Sequence, residues 1–417
     1  MTHSGLNREG KIDMQTPQRR KIAIQVLAMA TIAPAMITFL FGESLWKPRY
    51  APNLFALAAA PAESTKSREA LEALIRRANQ EGELIATVQS SWSKASLQPL
   101  GDAFKKSLGL NIKVTISTVR SAQHFPVAIA ETQARAPATY DVVQGDDAEM
   151  MQLIGAGGIQ RIDNADGLLS AVNAAVRGGK VRREQISSGP FHQLAFLLNA
   201  NVKQIVYNPK LITEAELPKI HADLADAKYK GKFTQPPWTA HWEIAPAVFD
   251  NFDRDKWLDV VRSAGKNTAA ILPETTGVQR VALGEFTFAL AQDAYFRQVL
   301  AQDAKAPLAF KYFEDYNERN SVYYGVRSGA RHPAAATLFA LWITTAEAQG
   351  IWQSSEFSAV PHGESKIDQE HRLAIQNAKA KVLGFLENQK TIDLLKWYQT
   401  EEGRKYLDGM TRAIRGE

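Results

Sequence analysis

Two short clusters in the sequence carry side chains that could do chemistry. Asp146 and Asp147 follow the predicted strand at residues 141–143, and His241 stands inside the run Trp238-Thr239-Ala240-His241-Trp242. Paired carboxylates and a histidine can transfer protons as general acids and bases. A carboxylate at the start of a helix is equally a helix cap, and a lone histidine is equally a packed or surface residue. An enzyme that uses Asp146, Asp147 or His241 therefore stays open as one hypothesis.

Signatures of several other chemistries are missing. The chain has no cysteine, which excludes disulfides, zinc-thiolate sites, iron-sulfur clusters and a cysteine nucleophile. The glycine cluster at residues 155–158 lacks the Lys-Ser/Thr ending of a phosphate-binding loop, so it is interpreted as a helix end and a turn. Neither G-x-S-x-G nor H-E-x-x-H occurs, and residues 163–167 lack the closing glutamate of a calcium loop. We therefore predict no cofactor and no resident metal.

The composition is that of an ordinary globular protein. Of 417 residues, 45% are hydrophobic and 22% are charged, and this length is enough for two domains. The net charge is +5, but residues 1–66 hold 8 Lys and Arg against 4 Asp and Glu, which leaves the rest of the chain almost neutral. A neutral body does not favour a nucleic-acid partner, and we predict none.

The first sixty residues have the pattern of an export signal. Arg19, Arg20 and Lys21 precede an uncharged apolar segment at residues 22–41. The arginine pair fits a twin-arginine signal in part, so twin-arginine and general export both stay open. The segment is long enough to cross a bilayer, while the alanine-rich residues 58–62 offer a cleavage site. We expect a periplasmic body, either released or anchored to the inner membrane through residues 22–41.

Helix-length and strand-length segments alternate through the rest of the chain. In residues 68–81, apolar side chains recur at the spacing of one helix face, and residues 84–88 then form a short apolar strand. This alternation predicts a mostly parallel α/β sheet with helices on both faces. Further predicted strands lie at residues 111–118, 141–143, 194–198, 204–207, 232–235, 286–291 and 322–326; further helices lie at 97–108, 126–134, 258–264, 277–284 and from 334 onward.

Seven segments in a fixed order carry a family resemblance. They are 69–88 (EALEALIRRANQEGELIATV), 104–114 (FKKSLGLNIKV), 140–143 (YDVV), 206–211 (VYNPKL) with Leu217-Pro218, 224–233 (LADAKYKGKF), 277–285 (GVQRVALGE) and 325–349 (GVRSGARHPAAATLFALWITTAEAQ). Together they resemble periplasmic solute-binding proteins of ABC importers, in the type 2 group related to ferric-ion, thiamine and phosphonate binders.

The resemblance implies two α/β lobes joined by hinge strands and closing on a small solute. On this basis residues 1–66 are the leader and linker, residues 67–200 and 308–355 form lobe 1, and residues 201–307 and 356–417 form lobe 2. It also implies a monomer that binds without catalysis and delivers its solute to an inner-membrane permease. A membrane-tethered solute sensor stays open beside this function.

The resemblance also indicates which loops line the cleft. The tyrosine pair of ferric binders is replaced here by Asp293-Ala294-Tyr295-Phe296, which disfavours ferric ion. Tryptophan rings and hydroxyls suit an organic solute with a flat or cationic part, and Arg120 suits a carboxylate or a phosphonate. Alternatively, Arg120 pairs with a surface carboxylate, and the tryptophans only pack a lobe. The expected ligand contacts are Ser90, Ser91, Trp92, Arg120, Ser121, Asp146, Trp238, Thr239, His241, Trp242, Thr275, Thr276 and Tyr295.

Overall fold

A computed structural model of the chain describes residues 61–417. The strands within these residues are β1 (Glu83–Gln89), β2 (Lys113–Val119), β3 (Val142–Asp146), β4 (Ala195–Tyr207), β5 (Phe233–Gln235), β6 (Ala270–Ile271), β7 (Phe288–Gln292), β8 (Ala309–Lys311), β9 (Asn317–Val326) and β10 (Val382–Gly384). The helices are α1 (Pro61–Glu81), α2 (Lys94–Leu108), α3 (Ser121–Gln133), α4 (Asp147–Gly155), α5 (Ala165–Val172), α6 (Ala174–Arg177), α7 (Ala245–Val248), α8 (Arg254–Asn267), α9 (Glu274–Ala282), α10 (Asp293–Gln302), α11 (Pro333–Trp342), α12 (Ala346–Glu356), α13 (Lys366–Asn377), α14 (Gln389–Trp397) and α15 (Glu401–Ile414).

The sheet of lobe 1 begins with three parallel strands in the order β2-β1-β3. Strand β9 joins them antiparallel to β3, and the first part of β4 lies antiparallel to β9. Helices alternate with strands in this half, as the sequence predicts. Most residues of β1 and β3 are buried, as expected of strands covered by helices on both faces of a sheet.

Strands β4 and β9 cross from one lobe to the other. Up to Val202, β4 pairs with β9, and from Lys203 onward it pairs with β7 of the second sheet. The sequence predicts two separate strands here, at residues 194–198 and 204–207. The structure has one strand of 13 buried residues, because the backbone of the polar residues between the two apolar runs continues the ladder. The prediction missed this because hydrophobicity, its only guide, drops in the middle of the strand.

The second sheet runs in the order β4-β7-β5-β6. Strands β7, β5 and β6 are parallel to one another, and β7 is antiparallel to β4. Strand β8 also pairs with the end of β4, which brings Ala309–Lys311 onto this sheet. The sequence places residues 308–355 in lobe 1, so the structure differs at the start of that range.

Apolar cores lie on both sides of the crossing strands. One surrounds α11, which is buried from its second residue to its last, with Phe104 against Phe339 and Trp342. The largest core extends from Phe125 on lobe 1 to Trp242. No helix within residues 61–417 is long and apolar enough to span a membrane. The predicted leader segment 22–41 lies outside the described residues.

A substitution at Gly145 tests the packing that positions the end of β3. A Cβ atom there would lie 2.3 Å from Cζ of Phe125, whose ring is buried. We expect Gly145→Ala to lower the free energy of unfolding by about 1–3 kcal/mol, measured by urea denaturation. Gly155→Ala at the end of α4 is the matched control, since a Cβ there meets nothing within 4 Å. Equal stability of the two variants would contradict this packing.

Candidate functional site

Loops from both lobes meet beside the crossing strands. On lobe 1, β3 ends at Asp146, which caps α4 by accepting a hydrogen bond from the backbone N–H of Glu149. On lobe 2, the loop after β5 carries Glu243. The carboxyl groups of Asp146 and Glu243 are close enough that Asp146 raises the pKa of Glu243. The two lobes therefore bring two carboxyl groups near each other at this point.

A buried ion pair lies at the point where β4 changes partners. Lys203 Nζ is 3.3 Å from Oε1 of Glu274, and both side chains are almost wholly inaccessible. The backbone N–H of Gln292 also donates to that oxygen, at 3.1 Å. Burial raises the pKa of Glu274, but Lys203 and His241 together outweigh this effect and hold the pKa below the usual value. Glu274 is therefore ionised. A buried lysine needs such an ionised partner to balance its charge.

More carboxyl groups surround Lys203 than its charge can balance. Burial raises the pKa of Asp146, takes that of Glu243 to about 7, and raises those of Asp147 and Glu318 well above the usual range. Lys203 lowers the pKa of Asp146, Glu243 and Glu318, but only against this larger effect. We call Asp146, Asp147, Glu243 and Glu318 the cleft acids. They hold protons at a pH where exposed carboxyls are ionised.

Several buried polar atoms beside the cleft acids have no hydrogen-bond partner. His241 is 1% exposed, and both of its ring nitrogens are unpartnered; its Nε2 is 3.8 Å from Glu274, too far for a hydrogen bond. Within residues 61–417, one oxygen of Asp147 and one of Glu318 also lack a hydrogen-bond partner. Burial lowers the pKa of His241 to about 4, so the ring is neutral. Unpaired buried polar groups are costly, and a bound solute can satisfy them.

The end of α12 contacts the loop after β1 near these residues. The hydroxyl of Ser91, just after β1, donates to Glu356 at 3.1 Å. Burial raises the pKa of Glu356 to about 7. The carboxyls of Glu274 and Glu356 both act on Tyr295 of α10, whose phenol pKa is raised chiefly by burial. Tyr295 therefore lies between the buried ion pair and the loop after β1.

Comparisons with known proteins fit this architecture. A family model described as bacterial extracellular solute-binding protein matches residues 100–359. This chain belongs to that family. No curated protein sequence matches it.

Solved structures share the fold of the family member. Iron-bound HitA from Pseudomonas aeruginosa has a TM-score of 0.60 at 19% identity, with 80% of this chain and 99% of that chain covered. The substrate binding protein of an ABC transporter from Agrobacterium tumefaciens has a TM-score of 0.59 at 16% identity, covering 81% and 97%. The ferric binding protein from Campylobacter jejuni has a TM-score of 0.60 at 14% identity, covering 78% and 98%. The predicted two-lobed periplasmic-binding fold is thus confirmed.

Two of the tryptophans that the sequence places in the cleft of this solute-binding fold lie in apolar cores. Trp92 is 3% exposed and packs against Trp352, with ring centroids 6.2 Å apart. Trp242 is 1% exposed, and its indole N–H donates to Gln235 at 3.2 Å. Trp238, in contrast, is 41% exposed. Trp238 therefore has an aromatic face available to a solute.

The remaining predicted residues are divided between the two lobes. Thr239 is partly buried, and its hydroxyl donates to Glu243. Thr275 and Thr276 lie in the first turn of α9, directly after Glu274. Ser90 and Ser91 are exposed at the end of β1. Ser121 begins α3. The polar residues around Glu243 and Glu274 thus adjoin the cleft acids.

Arg120 lies apart from the cleft acids, in a cavity of about 540 Å³ on lobe 1. Ser90, His124 and Tyr140 also line this cavity. Arg120 is exposed at the start of α3 and has no ion-pair partner among residues 61–417. The alternative in which Arg120 pairs with a surface carboxylate is therefore not seen among the described residues. Its guanidinium is available to an anion.

Sequence reasoning missed the residues at the centre of the site. Lys203 and Glu318 occur on the crossing strands, Glu243 and Glu274 each stand next to an expected contact, and Glu356 ends α12. Lys203 did carry a signal, because a charged residue inside a run of strand-forming residues is unusual. Within residues 61–417, no three or more His, Asp and Glu side chains are arranged to hold a metal ion.

The crossing point is also tied to α10 and α13. Asp293 accepts from the backbone N–H of Val202 at 3.2 Å, from Arg297 at 2.9 Å and bonds Nδ1 of His371 at 2.6 Å. Burial opposes ionisation of Asp293, but Arg297 and His371 hold its pKa far below the usual range. This network fixes the backbone of β4 at Val202, one residue before β4 changes its pairing from β9 to β7.

The raised pKa of Glu243 predicts a pH dependence of stability. Glu243 keeps its proton up to about pH 7 in the folded protein, against about 4.5 for an ordinary glutamate. Unfolding therefore releases a proton between these values, and the free energy of unfolding falls as pH rises from about 4.5 to about 7. We expect Glu243→Gln to reduce this slope in urea denaturation across that range. Glu72→Gln, at an exposed position of α1, is the control. An unchanged slope in Glu243→Gln would show that this carboxyl ionises normally.

Proposed function

We propose that this protein captures a small organic solute between its lobes and delivers it to the permease of an ABC importer. Membership of the extracellular solute-binding family supports binding as its activity. The observation that carries the proposal is the convergence of Asp146 from lobe 1, Glu243 from lobe 2 and Lys203 from a crossing strand. A solute held there contacts both lobes, so its binding favours the closed arrangement.

The cleft acids favour a solute with a cationic group. Facing carboxyls either hold protons or repel each other, and a bound ammonium or guanidinium removes both costs. Neutral His241 can donate or accept further hydrogen bonds through its ring nitrogens. Trp238 supplies an exposed ring, and tryptophan attracts cations through its face. Binding of the cation then displaces protons from the carboxyls.

Some proteins of known structure with this fold are iron or ferric binding proteins, but they are at most 19% identical to this chain. Their similarity does not identify the solute of this protein. Ferric ion prefers hard anionic oxygens such as a phenolate. In this chain burial and two carboxylates raise the pKa of Tyr295, which keeps its phenol protonated. The residue before it is Ala294. These features favour an organic cation over a bare metal ion.

A carboxylate or phosphonate solute is the second candidate. It rests on Arg120, which is exposed in a cavity beside Ser90 and Thr118 with no carboxylate bound to it. A guanidinium binds two oxygens of such an anion at once. Ser90 and Ser91 are adjacent, so this cavity adjoins the loop that contacts Glu356.

The leader supports export. Residues 22–41 follow three basic residues, which fits a twin-arginine or general signal, and an uncleaved segment would anchor the body to the inner membrane. An anchored form would suit either a permease-bound importer or a solute sensor. N-terminal sequencing of the mature protein distinguishes the forms: a first residue beyond residue 58 contradicts the anchor.

We propose binding without chemical change. Membership of a solute-binding family supports binding, and Asp146 is engaged in a helix cap. Native mass spectrometry of the protein, purified gently from its own envelope, tests this directly. We expect one small non-covalent mass that is released unchanged by denaturation. A converted product would instead support an enzyme, and an iron-sized increment would support a metal carrier.

Substitutions in the cleft test the cationic class. Asp146→Asn keeps a good helix cap, and Glu243→Gln keeps the shape of the side chain; each should weaken binding of the co-purified cation at least tenfold in titration calorimetry. Trp238→Ala should weaken it several-fold. Glu72→Gln, far from the cleft loops, should leave it unchanged. Loss of affinity in Arg120→Ala alone, with the acid variants unaffected, would favour the anionic solute.

A further inference from the structure

A separate cavity of about 640 Å³ lies on lobe 1, where α1 meets α5 and α6. Three arginines line it: Arg68 from α1, Arg177 from α6, and Arg183. Ser67 and Ser170 add hydroxyls, and no carboxylate is among the described residues on its walls. We call it the arginine cavity. Three cations without an anion in one cavity repel each other, so the cavity favours an anionic occupant.

Ser170 holds two of these guanidinium groups in place. Arg177 donates from Nη1 to the backbone carbonyls of Ser170 and Ala171, at 3.4 and 2.8 Å. Arg183 donates from Nε to the hydroxyl of Ser170 at 3.1 Å. All of these acceptors are uncharged, so they orient the guanidinium groups without neutralising them. Each guanidinium keeps further N–H groups for a ligand.

The opposite wall of the arginine cavity is closely packed. A Cβ atom at Gly167 would lie 2.5 Å from the hydroxyl of Ser67, so only glycine lets α1 approach α5 this closely. Ser67 is buried, whereas Arg68 is exposed and has no hydrogen-bond or ion-pair partner among residues 65–417. Arg68 therefore lies beside a closely packed wall of the cavity, and its guanidinium charge is not balanced there.

We propose that the arginine cavity binds a phosphate group. Phosphate offers several oxygens to planar guanidinium forks, and arginine is the side chain best matched to it. The cavity is much larger than phosphate alone, which leaves room for an ester group attached to it. This site is independent of the cleft: it lies on one lobe and shares no residue with the cleft acids.

Two sources can supply this chemistry: a free phosphate compound or the headgroup of an anionic phospholipid. Pro61, where α1 begins, follows residue 41 by 20 positions, and Thr65 at the edge of the cavity lies about one turn further along that helix. At roughly 3.5 Å per extended residue, that length would let a body anchored through residues 22–41 reach the membrane surface. An anchored body would then place the cavity within reach of headgroups.

The experiment uses the full chain and two variants, Arg177→Gln/Arg183→Gln and Arg68→Gln. Arg68→Gln removes a side chain that makes no described contact, so it tests binding even if the double variant is unstable. The first probe is inorganic phosphate in titration calorimetry. The second is flotation with vesicles of phosphatidylglycerol and phosphatidylcholine, compared with phosphatidylcholine alone. Arg76→Gln, exposed on α1 outside the cavity, is the matched control.

Phosphate binding that weakens at least tenfold in both variants, and not in Arg76→Gln, supports the proposal with a free phosphate as ligand. Preference for phosphatidylglycerol that is lost in the same variants supports it with a lipid headgroup. Because the leader is the same in every chain, it does not affect this comparison. If neither probe binds, or if binding persists in both variants, the proposal is wrong. Cleft binding is expected to be unchanged in all of these variants.

Discussion

The crossing of β4 and β9 between the two sheets is the constraint on which the rest of the structure depends. A strand that leaves one sheet and enters another must keep its backbone paired throughout, and β4 does so by changing from β9 to β7 at Val202 and Lys203. Side chains at this point belong to neither apolar core. They can therefore be polar, provided that each finds a partner. Asp293 and Glu274 supply those partners to the backbone of Val202 and the charge of Lys203.

Burial of Lys203 explains why so many carboxyls gather nearby. One ionised partner, Glu274, is enough to balance the lysine, so the remaining carboxyls exceed what charge balance requires. They stay protonated because burial disfavours their charged form. Buried carboxyls of this kind favour the binding of a cation. A cation that enters can replace their protons without further desolvation of the protein. Stability and affinity at this site should accordingly depend on pH in the same range.

Charge is separated within a body whose net charge is close to zero. Carboxyls are concentrated between the lobes, whereas uncompensated arginines lie at Arg120 and in the arginine cavity on lobe 1. The net charge from the sequence hides this separation, because opposite clusters cancel in the sum. The two lobes thus offer three different environments: an acidic cleft, the cavity at Arg120, and a site for phosphate away from both.

Local patterns in the sequence determined the alternating elements, the order of the family's segments and the positions of most strands, because hydrophobic periodicity reports on local structure. They also led to the prediction of Asp146, His241 and Tyr295 as ligand contacts, which stays a prediction. The sequence could not show that residues 194–198 and 204–207 are one strand, because the polar residues between them are stabilised only by partners distant along the chain. For the same reason it missed Lys203, Glu243 and Glu318, and it placed Trp92 and Trp242 in the cleft. Which polar residue is buried and which tryptophan is exposed depends on contacts between lobes, and only the tertiary structure decides those.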